Sequence, residues 1–326
     1  MHIIDFTREH ITNAKELALS CYKEEQSKVP VLPKAEELLD LTYFADNGFG
    51  AAAYEGKTMI GFLCGTEHFD HAFGSTDAKG IFSPMGANAA AAQNRADIYA
   101  AMYQYAAQKW VRAGTVSHGV CLYAHDEAAQ QQFFRYGFGQ RCADAVRAME
   151  PISCIQNEKY EKHSFENEEL DPETIAQAYP LEVMLNRHYE SSPFFMNRTV
   201  TTCQDFCSTF TAEKERCFIT RYKGQPCAYL KISESGETCI TENREYLHIT
   251  AAYCLTEHRG KGVIQNLLNY AVNILKKEGY AYLGVDYESL NPTAYAFWQK
   301  YFSVYTHGLV RRIDERILKA PIQVIL

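Results

Sequence analysis

The chain has 326 residues, 47% of them hydrophobic and 22% charged, which is typical of a folded globular protein large enough for two domains. Its formal net charge of −8 disfavours nucleic acid as a partner, because phosphate backbones are bound by basic surfaces. No apolar run approaches the ~20 residues that cross a bilayer, and the N-terminus lacks the signature of a signal peptide. The eleven cysteines include no C-x-x-C pair. We therefore expect a cytoplasmic protein with no membrane partner and no bound metal.

The first 150 residues are predicted to form one unit of mixed α/β structure. A helix is expected near residues 11–25 and a hairpin near 50–65, with its turn at Tyr54-Glu55-Gly56-Lys57. A further strand, a long helix, a strand, a short helix and a final strand complete the unit. Pro84 lies in the further strand, where a proline would interrupt a regular ladder.

The second half is predicted to repeat this order of elements after a carboxylate-rich linker at 151–171, a composition typical of a solvated segment. The expected elements are a helix over 172–189, a hairpin over 217–233, a strand over 246–255, a helix over 262–278 and a strand over 281–287. Apolar residues recur at helical spacing in the fourth of these, and Gly279 provides its stop. Strand, helix and strand then make a β–α–β crossover.

The two halves share residues at a nearly constant offset. A shift of 165 positions places Tyr105-Ala106 on Tyr270-Ala271, and a shift of 168 places the first hairpin turn on Tyr222-Lys223-Gly224-Gln225. Each match alone is weak, but their common order and spacing indicate a repeat. We therefore expect two copies of one α/β fold with a mixed sheet, in domains 1–150 and 172–326.

A basic, glycine-rich turn, Glu257-His258-Arg259-Gly260-Lys261-Gly262-Val263, joins a strand to a helix in the second copy. Such a turn suits phosphate, because free amides and the helix dipole point at the anion. A dinucleotide fingerprint would need a third glycine where Gln265 stands. A P-loop would need Ser or Thr after Lys261, where Gly262 stands. A tight connection without any ligand is the remaining alternative.

This turn and a downstream segment together resemble the two signature motifs of the GNAT superfamily of N-acetyltransferases. The first is Arg259-x-x-Gly262, and the second is Asn291-Pro-Thr-Ala294-Tyr-Ala-Phe297-Trp298. The resemblance is specific over about 247–312, and the N-terminal half matches only as a faint copy. It implies two tandem GNAT-like acyl-CoA N-acyltransferase folds, of which the first is degenerate.

The resemblance further implies that acetyl-CoA is the co-substrate. The turn would hold its pyrophosphate, Asn291 would lie near the pantetheine and aromatic residues would lie near the thioester. The implied set is Cys254, Leu255, Arg259, Gly260, Lys261, Gly262, Val263, Ile264, Asn291 and Trp298. At the 165 shift the first copy has Asn94-Arg95-Ala96-Asp97, without glycines and with a carboxylate at the helix start. We therefore expect no coenzyme A site in that copy.

Acetyl transfer to an amine needs a proton acceptor for the amine and a proton for the leaving thiolate. The family's tyrosine acid is replaced here by Trp298, so Tyr295, three residues earlier on the helix, is the candidate acid. Asp286 and Glu288 alternate onto one face of their strand and are candidate bases, with His248 as a further one. Catalysis by positioning alone is the alternative.

The expected activity is transfer of acetyl from acetyl-CoA to a primary amine of a small molecule, directly within a ternary complex. The rival hypothesis is a catalytically silent module that binds acyl-CoA and regulates a partner, and a longer acyl group is a third possibility. The acceptor stays open, although the acidic net charge favours a cationic one. We expect a monomer or homodimer.

Overall fold

The computed structural model describes residues 1–153, 165–199 and 201–319. These form two compact units, Met1–Ala143 with the chain from Val304 onward, and Asp144–Ser303. The sequence predicted domains 1–150 and 172–326, and most of the predicted linker lies outside the described residues. The boundaries between the two units therefore fall inside the strands Gly139–Ala148 and Ser303–Arg312, not at the predicted linker.

The predicted helices and strands follow one another in the predicted order in both halves. The structure also contains elements that were not predicted, namely His2–Asp5, Thr42–Asp46, Phe165–Leu170 and Cys203–Ala212, and the third of these is a strand within the predicted linker. The first half contains β1 (His2–Asp5), α1 (Ile11–Lys28), α2 (Thr42–Asp46), β2 (Gly50–Glu55), β3 (Thr58–Cys64), β4 (Lys79–Ser83), β5 (Asn88–Ala90), α3 (Arg95–Arg112), β6 (Thr115–Tyr123), α4 (Glu127–Arg135) and β7 (Gly139–Ala148). The second contains β8 (Phe165–Leu170), α5 (Tyr179–Glu190), α6 (Cys203–Ala212), β9 (Arg216–Tyr222), β10 (Gln225–Ser233), β11 (Tyr246–Cys254), α7 (Val263–Lys277), β12 (Tyr282–Glu288), α8 (Pro292–Trp298) and β13 (Ser303–Arg312). None of the described helices combines the length and hydropathy of a membrane span.

The first unit is built on two sets of strands. In one set β1, β2, β3 and β5 pair antiparallel in that order. In the other, β6 pairs parallel with β4 and antiparallel with β13. Pro84 follows β4 directly, so the strand that would be continuous is split into β4 and β5, as the proline predicted. Helix α3 buries Met102, Ala106 and Trp110 in the core of this unit.

The second unit has one sheet, in which β8, β9, β10 and β11 pair antiparallel and β11 pairs parallel with β12. Helix α7 connects the two parallel strands and completes the predicted β–α–β crossover. It buries an apolar face, formed by Val263, Leu267, Leu268, Ala271, Val272 and Leu275. Gly279, with φ of 101°, follows its C-terminal end, as predicted for a helix stop.

Strands β11 and β12 are paired along only part of their length. Tyr246–Ile249 lie opposite Tyr282–Val285, and no register continues beyond Ile249 and Val285. A register shift between Lys231 and Ile232 of β10 falls opposite the same region of β11. The later residues of β11 and β12 therefore border a gap in the sheet, and this gap positions the candidate site.

The two copies correspond with a different offset at the two ends of their long helix. Helix α3 has 18 residues and α7 has 15; their C-terminal ends are 165 positions apart and their starts 168. Asn94 therefore corresponds to Gly262 at the helix start, not to Arg259 as the uniform shift of 165 predicted. The uniform shift fails there because α3 has three more residues than α7 at its N-terminal end, so that part of the turn in the second copy is helix in the first.

Candidate active site

A cavity of about 660 Å³ opens where β11 and β12 separate. The separated strand ends, the glycine-rich turn with the start of α7, helix α8 and the end of α5 all contribute to its lining. Among the residues predicted for the site, those that line it are Cys254, Arg259, Gly260, Gly262, Val263, Ile264, Asp286, Glu288, Asn291 and Trp298. The cavity thus joins the predicted donor turn to the predicted carboxylates.

The glycine-rich turn has the backbone of an anion cradle. Gly260 and Gly262 have φ of 71° and 80°, a left-handed conformation in which side chains are unfavourable. Gly262 is the N-cap of α7, and no side chain caps the helix there. The amides at the start of α7 therefore have no intrahelical acceptor, and this geometry fits the pyrophosphate of coenzyme A.

Arg259 is anchored at the base of this turn. Its Nε donates a hydrogen bond to the Cys254 carbonyl (3.0 Å), and its guanidinium lies 5.2 Å from the ring centroid of Tyr253. These contacts hold the cation beside the cavity rather than in open solvent. Burial raises the pKa of the Cys254 thiol to about 12, so this cavity-lining cysteine stays protonated at neutral pH.

Asn291 and Trp298 mark the two ends of α8. The Asn291 side chain caps the helix by accepting hydrogen bonds from the amides of Thr293 (3.2 Å) and Ala294 (3.0 Å). Trp298 is buried, with its ring 5.3 Å from that of Phe302. Both side chains line the cavity, so the second motif forms one wall of the site.

The two carboxylates of β12, Asp286 and Glu288, line the cavity together with Val285 and Tyr287. Asp286 Oδ1 is 2.7 Å from Nε2 of His248, which is buried in β11. These residues are 38 positions apart in the chain and meet because β11 and β12 are parallel neighbours. Of the three candidate bases, Asp286 and Glu288 therefore line the cavity, and His248 stands behind Asp286.

Besides His248, three predicted residues are not among those that line the cavity: Leu255, Lys261 and Tyr295. The Tyr295 side chain is 42% exposed, and its ring packs edge-on against Tyr287 at 6.3 Å. The proposal that Tyr295 replaces the family's tyrosine acid thus finds no support in its position. Trp298, three residues later, is buried and lines the cavity.

The end of α5 and the segment after it supply residues that motif reasoning did not select. Tyr189 and Arg198 both line the cavity, and the guanidinium lies 4.2 Å from the tyrosine ring centroid. Burial raises the pKa of Tyr189; Arg198 lowers it, while Glu288 and Asp286 raise it. Tyr301 also lines the cavity, and burial raises the pKa of its phenol.

The corresponding region of the first unit is filled by its own side chains. Asn88, buried in β5, donates to the Cys121 carbonyl of β6 (3.1 Å) and accepts from the Tyr99 hydroxyl (3.0 Å). The first bond ties together the two strands that correspond to β11 and β12, and the second joins helix α3 to β5. The gap that borders the cavity in the second unit is thus bridged in the first.

The helix start of the first unit is occupied as well. Only four residues connect β5 to α3, whereas eight connect β11 to α7. Arg95, the first residue of α3, is buried and bonds the Ala90 carbonyl (3.0 Å) and the Glu24 carboxylate (2.7 Å). Both the shorter turn and this ion pair are incompatible with a phosphate cradle there.

Known proteins show the same fold and the same motif region. Residues 183–303 match the model of the acetyltransferase (GNAT) family. A GCN5-related N-acetyltransferase from Sphaerobacter thermophilus is similar in structure, with a TM-score of 0.58 and 9% identity over 95% of each chain. So is a GCN5-related glucosamine N-acetyltransferase region of a fungal multi-domain GH3 β-N-acetylglucosaminidase, with a TM-score of 0.52 and 11% identity. That match covers 95% of this chain and 38% of the fungal chain. No curated protein matches the sequence.

The fold is that of GCN5-related N-acetyltransferases. The family model thus matches the part of the chain that contains both motifs, residues 183–303, and the whole chain has a tandem GNAT-like fold. Acetyl-CoA is the co-substrate that this family uses. Within the described residues, no group of three or more metal-ligating side chains could hold a metal ion.

Proposed function

We propose that this protein is an N-acetyltransferase that transfers acetyl from acetyl-CoA to a primary amine of a small molecule within a ternary complex. The observation that carries the proposal is a cavity that connects the uncapped helix start at Gly262 with the carboxylates of β12. One end suits an anion and the other suits a cation. An amine acceptor and a phosphorylated donor can therefore meet there.

The residues around the turn would hold the donor. The amides at the start of α7 and the charge of Arg259 would bind the pyrophosphate. Asn291 and Trp298 would lie along the pantetheine arm of the coenzyme. Acetyl-CoA, when bound, supplies the acetyl group as a thioester, and its C–S bond breaks as the new N–C bond forms. Lys261 lies within the turn and adds positive charge there, although it does not line the cavity.

Asp286 would accept the proton that the amine loses. It lines the cavity, and its carboxylate is held by His248. Glu288, two residues along the same strand, adds negative charge that would keep a cationic acceptor in place. Replacing Asp286 by Asn keeps the shape and removes the base, so we expect kcat to fall roughly 10²-fold or more. An unchanged kcat would exclude Asp286 as the base.

Tyr301 is the better-placed proton donor for the leaving thiolate. Its phenol lines the cavity and its raised pKa keeps it protonated at neutral pH, whereas Tyr295 lies outside the lining. We expect Tyr301→Phe to lower kcat and Tyr295→Phe to leave it within about twofold, since a proton donor in the transition state contributes roughly 10²-fold or more. The reverse result would restore Tyr295 as the acid.

The absence of a tyrosine at position 298 favours a second candidate, a silent acyl-CoA sensor. Release of the free thiol of coenzyme A, measured with a panel of primary amines that includes glucosamine, separates the two functions. Turnover with any amine, lost in Asp286→Asn, supports the transferase. Binding of acetyl-CoA in calorimetry with no thiol release across the panel supports the sensor instead. Butyryl-CoA in the same assay tests for a longer acyl group.

A further inference from the structure

His248 is a buried polar residue with a specific place beside the candidate base. It lies in the last part of β11 that pairs with β12, opposite Gly284 in the register. The residue is 2% exposed and does not line the cavity, whereas Asp286 does. The hydrogen bond from His248 to Asp286 is thus the contact through which the imidazole can affect the site.

The surroundings of His248 determine which of its nitrogens carries the proton. Nε2 is 2.7 Å from Asp286 Oδ1, whereas Nδ1 is buried and has no hydrogen-bond partner within the described chain. The ring packs against Gly236, where a Cβ would lie only 2.8 Å from Nδ1. A proton on Nδ1 would be buried without an acceptor, which is costly. The neutral imidazole with its proton on Nε2 therefore fits this environment.

We propose that His248 is a positioning residue, which donates its Nε2–H to Asp286 Oδ1 and fixes the carboxylate so that Oδ2 accepts the proton of the amine. This proposal rests on the proposed acetyltransferase function. In the step concerned, the N–C bond forms, the C–S bond breaks and one proton moves from nitrogen to Asp286. A second proton, from Tyr301 or water, neutralises the thiolate. His248 keeps its own proton throughout.

The alternative is that His248 merely fills space in the core. A matched pair of variants separates the two roles, because leucine and glutamine have similar volumes but only glutamine has an N–H donor. We expect His248→Leu to lower kcat roughly tenfold or more, which is part of the contribution of a general base. His248→Gln should recover most of that loss, and the KM for acetyl-CoA should stay the same in both.

The double variant His248→Leu/Asp286→Asn sharpens this test. Because His248 acts through Asp286, replacing His248 should not lower kcat further once Asp286 is replaced. Equal losses in the leucine and glutamine variants, or losses that multiply in the double variant, would overturn the proposal. Calorimetric binding of coenzyme A by each variant shows that the second unit is still folded.

A readout without turnover keeps this proposal separate from the proposed function. In ¹⁵N NMR of the histidine side chains, His248 should be the neutral Nε2–H tautomer, assigned by its absence from His248→Gln. Its hydrogen-bonded proton signal should be lost in Asp286→Ala. A protonated ring or an Nδ1–H tautomer would contradict the proposal even in an active enzyme. The expected tautomer with no turnover on any amine would contradict the transferase function instead.

Discussion

Gly262 and Asn94 occupy equivalent positions in the two copies, and both have a left-handed backbone. Each directly precedes the long helix of its copy, with φ of 80° for the glycine and 57° for the asparagine. The local geometry of the helix start has thus been kept in both halves. The turn before it differs, since only the second copy has the longer, basic, glycine-rich segment. Equivalent folds therefore need not have equivalent ligands.

We expect one molecule of acetyl-CoA to bind per chain. In the first unit the buried Asn88 bridges the two strands, and Arg95 occupies the helix start through its ion pair with Glu24. Isothermal titration calorimetry should give a stoichiometry of one, and Arg259→Glu should abolish binding because it places a like charge beside the pyrophosphate. Two equivalent sites, or binding retained in Arg259→Glu, would contradict this assignment.

Two glycines with the same backbone conformation allow a controlled test of the turn. Gly262 and Gly224 both have φ of 80°, but Gly224 lies in the hairpin between β9 and β10. Alanine at either position should cost about 1 kcal/mol of stability, because side chains disfavour this region. Only Gly262→Ala should also weaken coenzyme A binding, by about tenfold or ~1.4 kcal/mol. Equal affinities in the two variants would remove the turn from the binding site.

The ion pair between Lys231 and Glu215 is predicted to be important for the stability of the second unit. The two groups are 2.7 Å apart, and their side chains are only 13% and 8% exposed. Lys231→Met leaves a buried carboxylate without its cation and should destabilise the protein by about 3–5 kcal/mol. Adding Glu215→Leu should recover most of this loss in urea denaturation. Additive losses in the double variant would show that the pair is not coupled.

His118 is predicted to make the first unit sensitive to acid. Burial lowers its pKa to about 4, below the value near 6.5 expected in the unfolded chain. The unfolded state therefore takes up the proton first, so stability is fully present above pH 6.5 and is lost as the pH falls toward 4. The loss should reach about 3 kcal/mol at and below that pH. Burial lowers the pKa of His307 to about 4 as well, which adds to the same dependence.

Urea denaturation between pH 7 and pH 4.5 checks this expectation. His118→Gln, which does not titrate, should show a smaller decrease in the free energy of unfolding than the wild type. The matched control is His2→Gln, because His2 is exposed in β1 and its replacement should leave the decrease unchanged. The same decrease in the free energy of unfolding between pH 7 and pH 4.5 in all three proteins would rule out His118 as a source of the acid sensitivity.

Much of the second copy could be predicted because its signals are local. The apolar spacing from Val263 onward and the glycine at 279 define α7 to within about one residue of its observed ends. The offset of 165 aligned the two copies incorrectly at the start of the long helix. Three residues that belong to the turn in the second copy are helical in the first. Such a change depends on what packs against the helix start, here Arg95, and not on the periodicity of the sequence.

The sequence alone determined the tandem fold and located the glycine-rich turn that is the candidate donor site, because glycines, charges and helical spacing act within a few neighbouring residues. Only the tertiary structure decided that Tyr295 lies outside the cavity and that His248 bonds Asp286. Those facts depend on how α8 is rotated against the sheet and on the parallel register of β11 and β12. Contacts between distant residues follow from packing, which no single stretch of sequence contains.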